Sequence, residues 1–196
     1  RAAIADLNRD GFPDIVFCNT RHYISVDMPA YIYWGSATGF KPEARTELPA
    51  YRAFGVALGD LNGDGIPEVV LANNGEELVT QLGLSHHLES FIYWGDTNGY
   101  TVARRTSVPT VSAADVAIGD FNSDGKPDLA FANYNAAELS VYLYWGDGGK
   151  SFGPERRQVL RQAELNVPVG SSMNTLLAAD LNGDRITDLA VAGGPK

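Results

Sequence analysis

The chain has 196 residues, of which 44% are hydrophobic and 20% charged, so it is long enough for a sizeable core and too apolar to be disordered throughout. Its 24 acidic and 15 basic residues give a net charge of −9, which disfavours nucleic acid and anionic membrane surfaces as partners. No apolar stretch is long enough for membrane insertion. The single cysteine, Cys18, excludes an intrachain disulfide and a cysteine-based metal site.

A nine-residue acidic segment recurs four times and defines a repeat. The copies start at Asp6, Asp60, Asp120 and Asp180, so successive starts are 54, 60 and 60 residues apart. A Tyr-Trp-Gly motif follows three of the copies, at 33–35, 93–95 and 144–146, and a proline then follows at Pro49, Pro109 and Pro168. Because these marks keep one order, the sequence predicts one duplicated structural module.

The sequence pattern of each module predicts four β-strands. Short apolar runs flank the acidic segment, as at 56–59 and 69–72 around the second copy. In the run after the segment, both alternating sets of side chains are apolar, which predicts a strand buried on both faces. A third strand ends in the Tyr-Trp pair, and a glycine-containing turn connects it to a more polar fourth strand. No convincing helical periodicity appears.

A sheet with two buried faces needs another sheet on each side, and radial repetition of such sheets makes a β-propeller. A β-sandwich would not explain the repeat length. We therefore predict an all-β fold of four-stranded antiparallel β-propeller blades in a single repeat domain, residues 1–196. The blades span approximately 1–49, 50–109, 110–168 and 169–196, with the first and last incomplete. About three and a half blades cannot close a ring, so we expect a fragment of a larger propeller or a partial one.

The acidic segments predict calcium sites, because hard cations such as Ca²⁺ take six to eight oxygen ligands. Positions 1, 5 and 9 carry carboxylates, position 3 an asparagine, and position 7 a usable main-chain carbonyl. Glycine at position 6 permits a left-handed backbone. The candidate ligands are Asp6, Asn8, Asp10, Phe12, Asp14, Asp60, Asn62, Asp64, Ile66, Glu68, Asp120, Asn122, Asp124, Lys126, Asp128, Asp180, Asn182, Asp184, Ile186 and Asp188.

Two other interpretations compete with calcium. An EF-hand needs an acid at position 12, but this position is apolar in every copy and lies in strand-like sequence. Asp, Asn and Gly also form ordinary surface turns, although four copies with the same oxygen pattern favour a metal. We predict up to four Ca²⁺ ions, with the fourth site weakest because Arg185 replaces the glycine at position 6.

The D-x-N-x-D-G-x-x-D loops between two apolar strands, with Phe54-Gly55 before the second copy, resemble FG-GAP or VCBS repeats. These are the calcium-binding blades of integrin α-chain propellers and of many bacterial secreted proteins. The resemblance implies a metal loop between the first two strands of each blade. It places the ligand face at the opposite end, where the loop after the second strand meets the link between blades. Family members include adhesion and ligand-binding propellers as well as polysaccharide lyases.

The loop after the second strand varies most between modules, and variable loops on a constant scaffold often carry recognition. Its candidate ligand-binding residues are Arg21, His22, Tyr23, His86, His87 and Tyr134. The Tyr-Trp pairs are interpreted as packing residues rather than a carbohydrate-stacking surface, and Cys18 as a small core residue.

We favour a non-catalytic, calcium-stabilised module for extracellular protein or glycan binding, and we assign no catalytic residues. The alternative is part of a propeller-type lyase, in which a histidine abstracts a proton from a uronic acid. Because loops of this kind suit millimolar calcium, we expect an extracellular, periplasmic or cell-surface location. The expected partners are a protein or carbohydrate ligand, and further blades of the same chain or a second copy that covers the open ends.

Overall fold

A computed structural model describes residues 1–20, 28–74, 88–133, 140–161, 163–165 and 171–195. The first sheet contains β1 (Ala2–Ala5), β2 (Asp14–Phe17), β3 (Ala30–Tyr33) and β4 (Arg45–Leu48). The second contains β5 (Ala53–Gly59), β6 (Glu68–Asn73), β7 (Glu89–Tyr93) and β8 (Arg105–Pro109). The third contains β9 (Ala113–Gly119), β10 (Asp128–Asn133), β11 (Ser140–Tyr144) and β12 (Arg157–Arg161). The fourth contains β13 (Ser171–Ala179) and β14 (Asp188–Pro195).

Within each sheet the strands lie side by side in chain order, and every neighbouring pair is antiparallel. Two short 3₁₀ turns, Val102–Arg104 and Pro154–Arg156, precede β8 and β12 and are the helical elements of the described residues. The predicted all-β fold and its four-stranded antiparallel sheets are therefore confirmed. The limits given above for the domain and its blades stay predictions.

The second strand of the first sheet is less buried than the second strands of the second and third sheets. All six residues of β6 and all six of β10 are buried, as the apolar sequence on both parities predicts. In β2 burial alternates instead, and the side chain of Phe17 is 42% exposed. The second strand of the first sheet therefore has one covered face, whereas its counterparts in the second and third sheets have two.

The core lies in three layers between consecutive sheets. Val16 and Ile32 of the first sheet belong to one cluster with Leu71 and Phe91 of the second. A second cluster joins Val70 and Ile92 to Leu129 and Phe131, and a third joins Ala130 and Leu143 to Leu176. Each sheet between two others thus contributes opposite faces to two layers, which is the packing that a row of blades requires.

Glycine at position 55 lets the first strands of the second and third sheets approach each other. A Cβ atom there would lie 2.7 Å from the Cα atom of Asp115, a distance that real side chains do not tolerate. The Phe54-Gly55 pair noted in the sequence is thus a packing requirement between β5 and β9. No helix in the described part of the chain is long and apolar enough to cross a membrane.

Candidate functional site

The four acidic segments form the loops that connect the first and second strands of the four sheets. They run from β1 to β2, from β5 to β6, from β9 to β10 and from β13 to β14. The twenty candidate metal ligands therefore lie at the same end of their respective sheets. Those at positions 1, 3, 5 and 7 are on the loops, and those at position 9 are the first residues of the second strands.

The backbone at position 6 is left-handed in every loop, as the sequence predicts. The φ angles are 86° at Gly11, 80° at Gly65, 81° at Gly125 and 72° at Arg185. A non-glycine residue in this region is strained by about 1–2 kcal/mol, so at position 6 the fourth loop carries a strain that the glycines of the other three loops avoid. Position 4 is also left-handed throughout, with φ of 61° at Arg9 and 60° at Ser123. Sequence reasoning did not anticipate this second left-handed position.

Backbone N–H groups hold the side-chain oxygens of positions 1, 3 and 5. In the third loop, the Asp120 carboxylate accepts hydrogen bonds from Asp124 and Gly125 at 3.1 and 2.8 Å. The Asn122 oxygen accepts from the Asp124 N–H at 2.9 Å, and the Asp124 carboxylate accepts from the Lys126 N–H at 2.9 Å. The first loop repeats these bonds. These hydrogen bonds fix the positions of the loop's oxygen atoms.

The carboxylate at position 9 ties the loop to the third strand. Asp128 is fully buried and accepts hydrogen bonds from the N–H groups of Phe121 and Gly146, at 2.9 and 2.8 Å. Asp14 does the same with Leu7 and Gly35, both at 2.8 Å. In each case the second donor is the glycine of the Tyr-Trp-Gly motif. The carboxylate at position 9 is therefore a structural link as well as a candidate ligand.

This link explains why a glycine follows the Tyr-Trp pair. A Cβ atom at Gly35 would lie 2.1 Å from the carbonyl oxygen of Pro13, and one at Gly146 would lie 2.0 Å from that of Pro127. Sequence reasoning missed this role, although a signal was present. Each of the three loops that a Tyr-Trp-Gly motif follows has a proline at position 8.

Glu68 differs from the aspartates at position 9 because its side chain is longer. One oxygen accepts the Leu61 N–H at 2.8 Å, but the other, Oε1, is buried and lacks a well-formed hydrogen bond. Burial, together with the nearby carboxylates of Asp64 and Asp60, raises the pKa of Glu68 to about 7 against the lowering effect of the Leu61 and Gly95 N–H groups. A buried carboxylate oxygen that lacks a well-formed hydrogen bond favours a cation nearby.

The first and third loops show the same electrostatic coupling. Burial raises the pKa of Asp14 and of Asp128, and the carboxylates at positions 1 and 5 of the same loop raise both further. In the fourth loop the exposed Asp180 has a lowered pKa, chiefly because the Arg185 N–H donates to it. Among the described residues, no lysine or arginine forms an ion pair with any of the twelve loop carboxylates.

The donor chemistry of the loops fits a hard cation. Each loop offers three carboxylates, an amide oxygen and a main-chain carbonyl oxygen, which are ligand types that Ca²⁺ takes. In the part of the chain that the structure describes, however, no three acidic, histidine or cysteine side chains are gathered closely enough to form a metal cluster by themselves. Amide and carbonyl oxygens would therefore have to complete each site, and calcium stays a prediction.

The candidate ligand-binding residues Arg21, His22, Tyr23, His86, His87 and Tyr134 all lie outside the described residues.

The tryptophans and the cysteine occupy the packing positions that the sequence predicts. Trp94 is 3% exposed, stacks on Phe152 with ring centroids 6.4 Å apart, and donates its Nε1–H to the Thr106 hydroxyl at 2.8 Å. Cys18 is buried, and burial raises the pKa of its thiol to about 12. Both residues are thus core elements.

Comparison with known proteins gives matches to a family model, to a relative in sequence and to solved structures. A family model described as FG-GAP-like repeat matches residues 6–71 and 120–191, which is more than half of the chain. A Rattus norvegicus T-cell immunomodulatory protein is 28% identical over 148 residues, covering 74% of this chain and 23% of the rat protein. The crystal structure of the V. cholerae biofilm matrix protein Bap1 aligns with a TM-score of 0.49 and 18% identity, covering 97% of this chain and 27% of Bap1. The chain thus spans about a quarter of the length of either protein.

Proposed function

Because the chain belongs to the FG-GAP-like repeat family, we propose that it is a non-catalytic, calcium-stabilised propeller module that binds a protein or a glycan outside the cell. The observation that carries the proposal is the set of four acidic loops with one backbone shape. In the first three loops the carboxylates at positions 1 and 5 contribute to a raised pKa of the carboxylate at position 9, and among the described residues no lysine or arginine forms an ion pair with a loop carboxylate. A cation is the neutralising partner that such a loop lacks.

The chain's own residues would hold up to four Ca²⁺ ions, through positions 1, 3, 5, 7 and 9 of each loop. The ion would supply positive charge between carboxylates, and four ions would bring the net charge from −9 to −1. The loop residues fix the connection between the first two strands, and the position-9 carboxylate extends this to the third strand. Calcium would thus stabilise a scaffold, while recognition would occur elsewhere on the module.

An extracellular location follows from the same chemistry. Each loop combines three carboxylates with neutral amide and carbonyl oxygens. Loops of this kind suit an affinity matched to the millimolar calcium found outside cells. The rat relative is named for an immunomodulatory effect on T cells, which supports a role in interaction rather than catalysis. The ligand itself is expected at the end of the sheets opposite the acidic loops.

Native mass spectrometry in calcium and after EDTA tests the metal. We expect three or four ions per chain, and one fewer for Asp124→Asn, with Glu155→Gln as an exposed acidic control outside the loops. Removal of calcium should lower Tm by about 5 °C or more, since each site held at 100 times its Kd contributes about 2.7 kcal/mol. Absence of bound ions in millimolar calcium would refute the calcium part of the proposal.

A second experiment tests the non-catalytic part. The calcium-loaded chain is incubated with anionic polysaccharides while the absorbance of unsaturated uronic-acid products is followed. We expect no product above the buffer control. Turnover that disappears in His22→Ala, or when His86 and His87 are both replaced by alanine, would identify a lyase instead.

A further inference from the structure

An arginine joins the first acidic loop to the second. Arg9 occupies position 4 of the first loop, and its guanidinium reaches the main chain of the second loop. Its Nε–H donates to the carbonyl oxygen of Gly65 at 2.9 Å, and an Nη2–H donates to that of Asp64 at 3.1 Å. One side chain of the first blade therefore holds two consecutive peptide groups of the second blade.

The same two peptide groups hold carboxylates of the second loop. The Gly65 N–H, which shares a peptide group with the Asp64 carbonyl, donates to Asp60 Oδ2 at 2.7 Å. The Ile66 N–H, which shares a peptide group with the Gly65 carbonyl, donates to Asp64 Oδ1 at 2.8 Å. Because the N–H and C=O of a trans peptide point in opposite directions, Arg9 binds the side of each group that faces away from the carboxylates.

Arg9 thus acts on the candidate ligands of the second loop without contacting their carboxylates. It fixes the orientation of both peptide groups, and a positive group at a carbonyl oxygen polarises the peptide and strengthens the hydrogen bond from its N–H. Its charge opposes a cation in the second loop only weakly, because Arg9 is exposed and solvent screens it. Positioning therefore outweighs repulsion.

The contact also requires a glycine at position 6 of the second loop. A Cβ atom at Gly65 would overlap Nη2 of Arg9, so the guanidinium lies directly against the Gly65 backbone. At Gly125, the equivalent residue of the third loop, a Cβ atom would meet nothing within 4 Å. The space that the guanidinium fills over the second loop is therefore open over the third.

A buried tyrosine adds a second link between the first two loops. Tyr100, which is 5% exposed, donates its hydroxyl proton to the carbonyl oxygen of Pro67 at 2.5 Å, and the hydroxyl oxygen lies 3.4 Å from that of Leu7. Pro67 is position 8 of the second loop, and Leu7 is position 2 of the first. The second and third loops lack both links, because Gly63 has no side chain and Phe152, which takes the stacking place of Tyr100, has no hydroxyl.

From these contacts we infer that Arg9 is a positioning residue for the second cation site, and that Arg9 and Tyr100 couple the occupancy of the second loop to that of the first. Asn8 and Asp10, two candidate ligands of the first loop, flank Arg9, so the Arg9 backbone is held most firmly when that loop is occupied. By linkage, occupancy of the second loop favours the first by the same factor. The coupling rests on the proposed function, whereas the hold of Arg9 on the two peptide groups does not.

Hydrogen exchange in EDTA tests the hold of Arg9 without any metal. Arg9→Gly introduces the residue that the second and fourth loops have at position 4, so the left-handed backbone is kept. We expect the N–H groups of Gly65 and Ile66 to exchange roughly three- to tenfold faster by NMR. Those of Gly125 and Lys126 in the third loop should not change. Arg9→Lys should restore part of the protection, because an ammonium group still donates to a carbonyl oxygen.

Two control variants separate this role from changes in charge and in flexibility. Lys41→Ala removes one exposed positive charge outside the loops and should leave the exchange of Gly65 and Ile66 unchanged. Ser123→Gly makes the same change at position 4 of the third loop, where the described residues show no hydrogen bond to the next loop. It should leave the exchange of Arg185 and Ile186 unchanged.

The reverse change builds the link where the chain lacks it. Gly63→Arg places the side chain at position 4 of the second loop, where a Cβ atom meets nothing within 4 Å. In EDTA we expect the Gly125 and Lys126 N–H groups of the third loop to exchange several-fold more slowly. This gain of protection would not result from a general change in stability, because the exchange of Gly65 and Ile66 should stay as it is.

A calcium titration, followed by the amide shifts of each loop, tests the coupling. In the double variant Arg9→Gly, Tyr100→Phe, we expect the affinity of the second loop to fall several-fold and that of the third to stay unchanged. Asp10→Asn, which removes one ligand from the first loop, should weaken the second loop in the native background. In the double variant the same substitution should leave the second loop unaffected.

Three outcomes would overturn the inference. Equal exchange of Gly65 and Ile66 in the native and Arg9→Gly chains would show that the guanidinium does not hold the second loop. Tighter calcium binding by the second loop of Arg9→Gly would show that charge repulsion outweighs positioning. An unchanged second loop in Asp10→Asn would refute the coupling. Absence of calcium binding in every loop would instead refute the proposed function, and the exchange in EDTA would still decide the role of Arg9.

Discussion

The third and fourth acidic loops share a motif and a backbone shape but lie in different surroundings. In both, the asparagine at position 3 accepts the N–H of position 5, at 2.9 Å in the third loop and 2.8 Å in the fourth. Asp128 is fully buried and accepts two backbone N–H groups, one of them from Gly146, which follows the third strand of its sheet. Asp188 is partly exposed and accepts one, from Leu181 at 2.9 Å.

This difference distinguishes the turn, which each loop forms by itself, from the anchoring of the loop, which the rest of the blade provides. The turn forms in both places, because its hydrogen bonds join residues at most seven positions apart. Anchoring to the rest of the sheet occurs only where a third strand brings a glycine N–H to the carboxylate. In the fourth sheet, Leu181 and Ile186 are 57% and 48% exposed, which shows how little of that loop is covered.

The largest effect is expected from removing the position-9 carboxylate in each loop. Asp128→Ala leaves two buried N–H groups without an acceptor and should lower the free energy of unfolding by about 3–5 kcal/mol. Asp188→Ala removes one hydrogen bond at a partly exposed site, so the loss should be about 1 kcal/mol or less. Urea denaturation in EDTA measures both without any contribution from bound metal. Equal losses would show that burial of Asp128 does not matter.

The next effect tests the glycine that serves the third loop. In Gly146→Ala the new methyl group would overlap the Pro127 carbonyl oxygen, and we expect a destabilisation of about 2–3 kcal/mol. The control, Gly183→Ala in the fourth loop, meets no atom within 4 Å but has φ of 85°, so about 1 kcal/mol is expected from backbone strain alone. A Tm series of the two variants distinguishes overlap from strain. If Gly183→Ala is the more harmful change, backbone strain outweighs the overlap.

A smaller effect is expected at position 6. Arg185→Gly relieves a left-handed non-glycine residue and should stabilise the chain by about 1 kcal/mol, with part of the gain offset by the more flexible unfolded state. The reverse change in the third loop, Gly125→Arg, should destabilise by a similar amount. Calcium titration of the same variants should show tighter binding in the fourth loop and weaker binding in the third. Unchanged stability in both would mean that the loops adapt to either residue.

The smallest effect is expected at position 13 of the repeat, counted from the first aspartate of each acidic loop. Cys18 and Ala192 are equivalent in the repeat, but Cys18 is buried and Ala192 is exposed. Burial raises the pKa of the Cys18 thiol to about 12, so iodoacetamide at neutral pH should not modify it in the folded chain. Ala192→Cys in a Cys18→Ala background should react readily. Fast alkylation of native Cys18 would show that the first core layer opens.

Much of the fold follows from local patterns in the sequence. The apolar run 129–132 predicts a strand with two buried faces, and β10 has them. The acidic segments predict turns with a left-handed residue at position 6, and even Arg185 adopts this conformation. These predictions succeed because strand burial and turn shape depend on residues that are neighbours in the chain.

Other features do not follow from any local pattern. Nothing in the sequence of the acidic loop says that Asp14 will accept an N–H from Gly35, because the second strand, the loop after it and the third strand all lie between them. The sequence pattern does not predict the exposure of Phe17 either, since the same alternation of side chains gives a buried Leu71 in the next blade. In both cases the partner comes from another strand or another sheet.

The sequence alone thus determined the repeat, the all-β blades, the family and the oxygen-rich loops. All of these depend on spacings of a few residues or on the regular period of the repeat. The tertiary structure decided which loop is anchored, why the Tyr-Trp-Gly glycine is needed, and which apolar face stays uncovered. The physical reason is that burial and hydrogen-bond satisfaction depend on groups brought together across strands and sheets, and identical motifs meet different neighbours at the middle and at the ends of a row of blades.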